Sequence, residues 1–302
     1  MQTDDFNPVI GVAEPLASDL VRIVAPNPSP MTFRGTNTYV LGRTNLAVID
    51  PGPDNPTHLD AILSAVRHNQ RITHIFVTHS HLDHSPLARP LAQATQAPVL
   101  AFGPSHAGRS AAMDTLAQSG LTGGGEGIDH DFQPDVLLQD GQFIRDTDWK
   151  ITAHWTPGHL SNHMCFDTET ALFCGDHVMG WASSLVSPPD GDLGAFMNSC
   201  ARLRALPERP YYPGHGAPIQ APHARLDWLM AHRRTREATL VDALSDAGQT
   251  VSALTRIVYH DIDPAMLPAA ERNLLAHLID LHARGLVHAD PTLGQHARFS
   301  QT

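Results

Sequence analysis

The sequence predicts a layered α/β domain followed by a small helical tail. Three observations support this fold class. Strand-like and helix-like hydrophobic patterns alternate up to about residue 102, short strand-like segments return from Val136, and the pattern becomes almost wholly helical from about Asp227. Strands that alternate with helices are typical of layered α/β architecture. We therefore expect an α/β domain at residues 1–224 and a tail domain at residues 225–302.

The first half of the chain contains the alternating elements. After a proline-rich opening, a helix that carries Leu59 and Val66 on its apolar face is expected, with Thr57 as its N-cap. A polar, histidine-rich loop at 79–84 follows one of the strands directly. The hydrophobic patterns predict strands at 38–41, 46–49, 72–78 and 98–102, and further helices at 86–94 and 110–119.

The second half begins with strands and ends with the tail. Three helices followed by a short strand pair, as predicted here, are what a winged-helix module looks like. The α/β part is predicted to hold strands at 136–138, 149–155, 164–167, 171–174 and 211–212 and a helix at 192–206. The tail is predicted to hold one helix from about 227 to Gly248, a second at 251–258 and a third at about 270–284, then an extended segment at 286–288.

The composition is that of an ordinary globular protein with an acidic surface. Hydrophobic residues make up 42% and charged residues 17% of the 302 residues, and the formal net charge is -11. Such a surface argues against non-specific binding to nucleic acid or to an anionic membrane. It leaves a nucleic acid substrate open, because bound cations can reverse the field inside a cleft. The 20 histidines raise the expectation of metal binding.

The cysteines and the N-terminus bear on the compartment. Cys165, Cys174 and Cys200 do not make a disulfide framework, and Cys165 and Cys174, which bracket a predicted hairpin, are expected to be two reduced core thiols rather than a cross-strand pair. The first residues carry no basic region followed by an apolar stretch, so no signal peptide is expected. No apolar run approaches the about 20 residues that span a bilayer. A cytoplasmic protein that does not enter the membrane fits these features best.

The strongest functional signal is the run Thr78-His79-Ser80-His81-Leu82-Asp83-His84. In an extended segment His79 and His81 project to the same side, because residues two apart share a face. Asp83 and His84 point elsewhere, so one short loop can serve two ions. Imidazole and carboxylate ligands suit zinc, with iron and manganese as alternatives. A solvated polar loop is the other interpretation of this run.

Three more candidate ligands weaken that other interpretation. Each follows a strand-like segment that ends in a glycine-containing turn, the position from which α/β folds present functional groups. Glycine permits the sharp turn that directs the ligand. The three are His159 in Thr156-Pro157-Gly158-His159, Asp176 in Gly175-Asp176-His177, and His215 in Pro213-Gly214-His215-Gly216.

Together these residues resemble the pattern of the metallo-β-lactamase fold superfamily over about residues 20–220. The resemblance implies a four-layer αβ/βα sandwich. Asp50 matches the aspartate that the family keeps after an early strand, where it would orient the ligands. The resemblance also implies two ligand sets, with His79, His81 and His159 on the first ion, Asp83, His84 and His215 on the second, and Asp176 bridging both.

Further residues narrow the branch. Histidine at 81 argues against the di-iron flavoprotein branch, and aspartate at 176 argues against one class of true β-lactamases. Leu160 departs from the threonine that thiol-ester hydrolases of the superfamily usually carry. With its helical tail the chain is most similar to the β-lactamase-like protein 2 family, on the evidence of Pro28, Pro30, Met31, the run 35–39, Ser161, Asn162 and tail residues that include Arg233, Tyr259 and Asn273.

The resemblance implies a binuclear hydrolase that uses two zinc ions, with Mn²⁺ or Fe²⁺ as alternatives. Two such ions can lower the pKa of a shared water from about 15.7 toward about 7, which provides hydroxide at neutral pH. Asp83 and Asp176 are expected to orient this nucleophile. His163 is expected to donate a proton to the leaving group, and a packing histidine is the other interpretation of this residue.

Substrate and partners follow from the resemblance and the charge. The substrate is expected to be a single-stranded RNA phosphodiester or a small thioester or ester. A mononuclear-iron sulfur dioxygenase of the same fold is one alternative, and a winged-helix regulator that binds nucleic acid is another. The third tail helix carries Glu271, Arg272, Asp280 and Arg284 and is near neutral, whereas contact with phosphates requires a basic face. Duplex DNA is therefore disfavoured as a partner, and a packing or homodimerisation role of the tail is expected.

Overall fold

The computed structural model of the protein describes residues 6–125 and 127–302. The strands within these residues are β1 (Glu14–Ala17), β2 (Leu20–Val24), β3 (Asn37–Leu41), β4 (Asn45–Ile49), β5 (Arg71–Phe76), β6 (Val99–Ala101), β7 (Val136–Leu137), β8 (Gln142–Arg145), β9 (Lys150–Trp155), β10 (Met164–Asp167), β11 (Leu172–Gly175), β12 (Tyr211–Pro213), β13 (Gln249–Thr250), β14 (Val287–Asp290) and β15 (Arg298–Gln301). The helices are α1 (Pro56–Ser64), α2 (Ala88–Thr95), α3 (Ala111–Gln118), α4 (Leu193–Arg204), α5 (Pro222–Ala243), α6 (Val251–Val258) and α7 (Leu267–Ala283), with a 3-10 turn at Pro264–Met266 before α7.

Two sheets form the α/β domain. The first contains β1 to β7 in chain order, antiparallel up to β4 and parallel from β4 to β7. The second has the order β12-β11-β10-β9-β8 and is antiparallel except for the β11–β12 pair. Parallel pairs need crossover connections, which the helices between the strands provide.

Three hydrophobic cores hold the layers together. One lies between the sheets and includes Tyr39, Phe76 and Phe166. A second lies between the first sheet and helices α1 and α2, and a third joins the second sheet to α4 and α5. Helix, sheet, sheet and helix therefore stack as four layers, which confirms the predicted layered α/β architecture. The three cysteines are buried and free, as predicted for Cys165 and Cys174.

The tail has its own core. Helices α6 and α7 and the small sheet β13-β15-β14 pack around Leu254, Leu278 and Phe299. Met113 and Leu116 of α3 belong to the same cluster, so the tail also packs against the α/β domain. Helix α5 spans the predicted domain boundary at 224/225, which remains a prediction. Within the described residues, no helix is both long enough and apolar enough to cross a membrane.

The structure corrects several local expectations. Helix α1 is capped by Asn55, whose side chain accepts a hydrogen bond from His58 N, and Thr57 lies inside the helix. Pro56 at the first helical position fixes this start, because its missing N–H is not needed there. Strands β1, β2 and β8 were not predicted. In β2 the charged Arg22 interrupts the apolar pattern, yet it is buried and paired with Glu14 at 2.6 Å.

Candidate metal centre

The strand ends bring all seven predicted ligands to one place. The loop after β5 carries four of them, and the turns after β9, β11 and β12 each contribute one more. All seven side chains are buried. They form two groups, and within each group the candidate ligand atoms lie within 4.8 Å of one another: His79, His81 and His159 in the first, and Asp83, His84, Asp176 and His215 in the second.

The first group is a cluster of three imidazoles. His81 Nδ1 lies 2.9 Å from His79 Nε2 and 3.1 Å from His159 Nε2. Ligands about 2.0–2.1 Å from a tetrahedral zinc ion stand about 3.3 Å apart, which is close to this spacing. The three nitrogens therefore fit a single metal ion.

The second group joins two imidazoles to two carboxylates. His84 Nε2 lies 3.3 Å from Asp83 Oδ2 and 3.4 Å from Asp176 Oδ1, and His215 Nε2 lies 3.1 and 3.3 Å from the Oδ2 atoms of the same aspartates. Asp176 Oδ2 is also 3.7 Å from His159 Nε2 in the first group. Asp176 thus lies between the two groups, where a shared ligand would stand.

Several buried polar atoms in the second group have no hydrogen-bond partner, which bears on whether a metal ion fits between them. Asp83 Oδ1, His84 Nε2 and Asp176 Oδ1 are buried and have no hydrogen-bond partner. Leaving such groups unpaired costs about 1–3 kcal/mol each, and more when they are charged. A divalent cation in the second group would satisfy all three atoms, so the residues of this group fit a metal ion.

Hydrogen bonds at the outer nitrogens prepare the imidazoles for this role. His159 Nδ1 donates to Leu185 O at 2.7 Å, and His215 Nδ1 donates to Gly35 O at 3.2 Å. Because a carbonyl oxygen can only accept, each of these hydrogen bonds places the proton of the neutral ring on Nδ1, and Nε2 of the neutral ring then has a lone pair for a ligand. His84 Nδ1 donates to Asp50 Oδ2 at 2.9 Å in the same way.

Asp50 stabilises the histidine loop in addition to binding His84. Its carboxylate accepts hydrogen bonds from Thr78 N and Thr78 Oγ1, both at 2.7 Å, at the start of the histidine loop. Asp50 itself has a φ of 51°, which is strained for a non-glycine residue. The structure therefore places Asp50 where it can orient the ligands, as the sequence predicts.

Burial and neighbouring charges pull the pKa values of the ligands apart. Burial lowers the pKa of His81 to about 3 and holds the pKa of His79 well below its usual range, with neighbouring histidines adding to the effect. Burial also opposes the charged form of His215, but Asp176 and Asp83 outweigh it and raise the pKa to about 10. The pKa of Asp176 is lowered well below its usual range, because His215 and His84 outweigh its burial. The carboxylates thus stay ionised and ready to bind a cation.

His163 lies behind His79 and away from the open space of the site. The two ring centroids are 5.1 Å apart, His163 is fully buried, and its Nδ1 is 2.9 Å from Thr156 Oγ1. Burial, followed by the repulsion of His177 and His159, holds the pKa of His163 well below its usual range. Its role as a proton donor remains a prediction.

An apolar cavity of about 200 Å³ opens onto the ligands. His81, Asp83, His159 and Asp176 line its floor. Its walls are mainly apolar and come from both domains, with Met179, Trp181 and Leu185 from the α/β domain and Ile262, Met266 and Ala269 from the tail. The cavity can therefore take an apolar group and hold it next to the candidate metal centre.

The segment 184–187 connects the tail to a candidate ligand. Arg233 is 3% exposed and donates hydrogen bonds to Ser184 O and, at 3.0 Å, to Asn273 Oδ1. Asn273 Oδ1 also accepts from Val186 N at 3.0 Å. The carbonyl of Leu185, between these two anchored residues, orients His159. In the sequence, Arg233 and Asn273 contribute only to the resemblance of the tail to a known family. Their contact with the segment 184–187 was not predicted, because a contact between distant segments leaves no local spacing signal.

Gly214 offers a direct test of the packing around the ligands. A Cβ on this residue would overlap Asp176 Oδ1 and lie 2.6 Å from His84 Cε1. We expect Gly214→Ala to displace these side chains and to lower the content of bound metal, measured by elemental analysis of the purified protein. Gly294→Ala is the matched control, since nothing lies within 4 Å of its Cβ position. Equal metal content in the two variants would contradict the expectation.

Known proteins match both parts of the chain. Residues 31–215 match the family model described as the metallo-beta-lactamase superfamily, and residues 250–295 match the beta-lactamase associated winged helix domain. The crystal structure of a beta-lactamase domain protein from Burkholderia ambifaria superposes with a TM-score of 0.80 over 99% of this chain and 96% of that chain, at 20% identity. The predicted sandwich with a winged-helix tail is confirmed.

Curated relatives agree with the match. The atrochrysone carboxyl ACP thioesterase AgnL7 of Paecilomyces divaricatus is 30% identical over 83% of this chain and 75% of its own length. The beta-lactamase-like protein 2 homolog of Drosophila melanogaster is 28% identical over 89% of this chain and 90% of its own length. The lactamase-like protein nscB of Arthroderma benhamiae is 28% identical over 84% of this chain, which spans 56% of that protein. With more than half of its length matched by the family model and its two domains in the predicted order, the chain belongs to the metallo-β-lactamase superfamily, whose members are generally hydrolases.

Proposed function

We propose that the protein is a binuclear metal-dependent hydrolase that cleaves a thioester of an apolar acyl group. The observation that carries this proposal is the apolar cavity whose floor is formed by the candidate ligands. The similarity to AgnL7, which is described as a thioesterase, supports the same substrate class. We propose the ligand sets predicted from the sequence, with His79, His81 and His159 on one ion, Asp83, His84 and His215 on the other, and Asp176 shared.

The donor set favours two ions of the zinc type. Five imidazoles and two carboxylates suit Zn²⁺, and Mn²⁺ or Fe²⁺ are the alternatives. When bound, such ions supply Lewis-acid polarisation of a carbonyl and a water of lowered pKa. A mononuclear-iron dioxygenase would use one ligand group, whereas here a second group of four donors lies beside the first. That second group favours the binuclear hydrolase.

The side chains of the site have distinct tasks in thioester cleavage. Asp83 lines the cavity, and its carboxylate can accept a hydrogen bond from the attacking water and so orient it. Thr36 Oγ1 lies 3.4 Å from Asp83 Oδ2 and helps to hold that carboxylate in place. The apolar walls exclude other water from the acyl group. A thiol has a pKa of about 8.5 and can leave as its thiolate. Thioester cleavage therefore does not require His163 to donate a proton to the leaving group.

The cavity lining disfavours the RNA alternative. Binding an RNA backbone requires several cationic side chains along a groove. Arg233 is the one arginine or lysine among the described residues that line the cavity, and Ser184 O and Asn273 Oδ1 already engage it. His232 also lines the cavity, but burial and the nearby arginines lower its pKa to about 4, so it is neutral at physiological pH. An apolar acyl group suits this lining better than a run of phosphates.

Hydrolysis of acyl thioesters tests the proposal. Protein loaded with Zn²⁺ or Mn²⁺ would be incubated with S-acyl N-acetylcysteamine thioesters, and the released thiol would be measured. In parallel, the same preparations would be incubated with a labelled single-stranded RNA. We expect thiol release by the wild type and a loss of about 100-fold or more in Asp83→Asn, which keeps the shape of the side chain but removes its charge.

Asp227→Asn is the matched control, because Asp227 is an exposed residue of α5 that pairs with Arg204. It should retain the wild-type rate. RNA cleavage without thiol release, from protein that holds both metals, would replace the thioester with a phosphodiester as substrate. Thiol release that persists in Asp83→Asn would contradict the proposed task of Asp83.

A further inference from the structure

One face of the third tail helix borders the catalytic cavity. Met266, Ala269, Ala270 and Asn273 all line it. Ala269 and Ala270 follow Met266 by three and four residues and precede Asn273 by four and three, which places the set along one side of the helix and its preceding turn. Leu274 and Leu278 pack into the core of the tail instead. The cavity-facing side of α7 therefore borders open space next to the candidate ligands. Part of a bound substrate can occupy this space.

The same helix is not available for contact with DNA. A helix that reads a DNA groove must be exposed along the face that enters the groove. Among the 17 residues of α7, Pro268 and Ala283 alone are exposed. The tail keeps the winged-helix architecture, but it uses the third helix to close a cavity.

The part of the lining around Trp181 is fixed by contacts within the α/β domain, so we look to the helix for the residues that set the size of the cavity. Trp181 stacks on Phe33 with ring centroids 4.9 Å apart. Arg225 donates hydrogen bonds to Met179 O and Ala182 O, both at 2.7 Å, on either side of Trp181. Side chains of α7 and of its preceding turn line the same cavity.

We propose that this face of α7 is the acyl-binding wall and that Ala269 and Met266 determine the length of the acyl group. This inference rests on the proposed thioester hydrolysis and names its specificity determinants. The small side chain of Ala269 leaves room where a larger one would fill the cavity. Met266 is long and flexible, and it occupies space that a longer acyl chain could use.

The expected effects are changes in preference rather than losses of catalysis. One methylene more or less in an apolar pocket changes kcat/KM by about 10- to 200-fold. Ala269→Leu should therefore shorten the preferred acyl chain by about two or three carbons and lower kcat/KM for the longest good substrate by at least about tenfold. Met266→Ala should shift the preference toward longer chains. An acetyl group is the smallest of the series and fills the least of the cavity, so we expect its kcat to change least, within about twofold of the wild type.

The experiment compares thioester series across three variants. Metal-loaded wild type, Ala269→Leu and Met266→Ala would be assayed with N-acetylcysteamine thioesters from acetyl to dodecanoyl, with kcat and KM determined separately. Ala265→Leu is the matched control, because Ala265 is exposed in the same turn and does not line the cavity. Calorimetric titration of each protein with the free carboxylic acids gives a binding measurement that is independent of catalysis.

The outcomes distinguish the proposed thioester hydrolysis from the proposed acyl-binding role of α7. Opposite shifts in the two cavity variants, an unchanged control and matching shifts in acid binding would support the acyl-binding wall. An identical chain-length profile in all four proteins would overturn it while leaving thioester hydrolysis intact. If the wild type hydrolysed no thioester, the proposed function would fail, and the acid titrations would still decide whether α7 binds an acyl chain.

Discussion

Asp176→Ala is expected to abolish most activity and to lower the metal content to one ion or none. Asp176 lies between the two ligand groups, 3.3–3.4 Å from His84 and His215 and 3.7 Å from His159. Loss of an outer contact to a metal ligand typically costs about 10- to 100-fold in affinity or activity, so loss of a shared ligand should cost at least about 100-fold. Thiol release and elemental analysis of the same preparation would measure both effects.

Asp227→Ala provides the control for this variant, since it removes an equivalent carboxylate from the surface. Circular dichroism would show whether both proteins remain folded. Full activity and full metal content in Asp176→Ala would remove the bridging assignment. Loss of activity with both ions retained would instead make Asp176 an orienting residue without a shared ligand role.

Arg233→Met is expected to lower the free energy of unfolding by about 2–4 kcal/mol. Arg233 is buried, its guanidinium lies over the ring of Phe196, and its hydrogen bonds hold Ser184 O and Asn273 Oδ1. Hydrogen bonds to charged groups contribute about 1.5–3 kcal/mol each, and removal of the buried charge offsets part of the loss. Methionine is apolar and of similar length, so a large cavity is avoided. Urea denaturation of the metal-free proteins would measure the difference.

Arg256→Met is the matched control, because Arg256 is exposed on α6. It should change the free energy of unfolding by less than about 0.5 kcal/mol. A similarly small change in Arg233→Met would contradict a stabilising role of the buried arginine. Arg233→Lys should recover little stability, because an ammonium group cannot reproduce the planar pair of donors.

The sequence predicted the candidate centre more completely than the fold around it. His79 to His84 lie in one run, and the other ligands each follow a strand and a glycine, so local spacing carried the information. Strand β2 was missed because Arg22 breaks the apolar pattern, although the pairing with Glu14 makes its burial tolerable. Local patterns report what each residue prefers, and they do not report a distant partner that changes this preference.

The cavity is a second feature that the sequence did not predict, again because it depends on contacts between distant segments. Ile262, Met266 and Ala269 read as ordinary apolar residues of a helical tail, and nothing in their spacing indicates that they face a hydrolytic site. Their role depends on how the tail packs against the α/β domain, which involves α3 and the segment 184–187. Only the assembled structure brings these residues next to Asp83 and Asp176.

The short segment 184–187 also links the tail to the candidate centre through hydrogen bonds. Its carbonyl at Leu185 orients His159, while Arg233 and Asn273 hold the neighbouring residues. A coupling free energy between two sites is reciprocal, so whatever a docked tail adds to metal affinity, bound metal adds to the docking of the tail. A chain deprived of metal should therefore exchange its amide hydrogens faster in α7, which is distant in sequence from every candidate ligand.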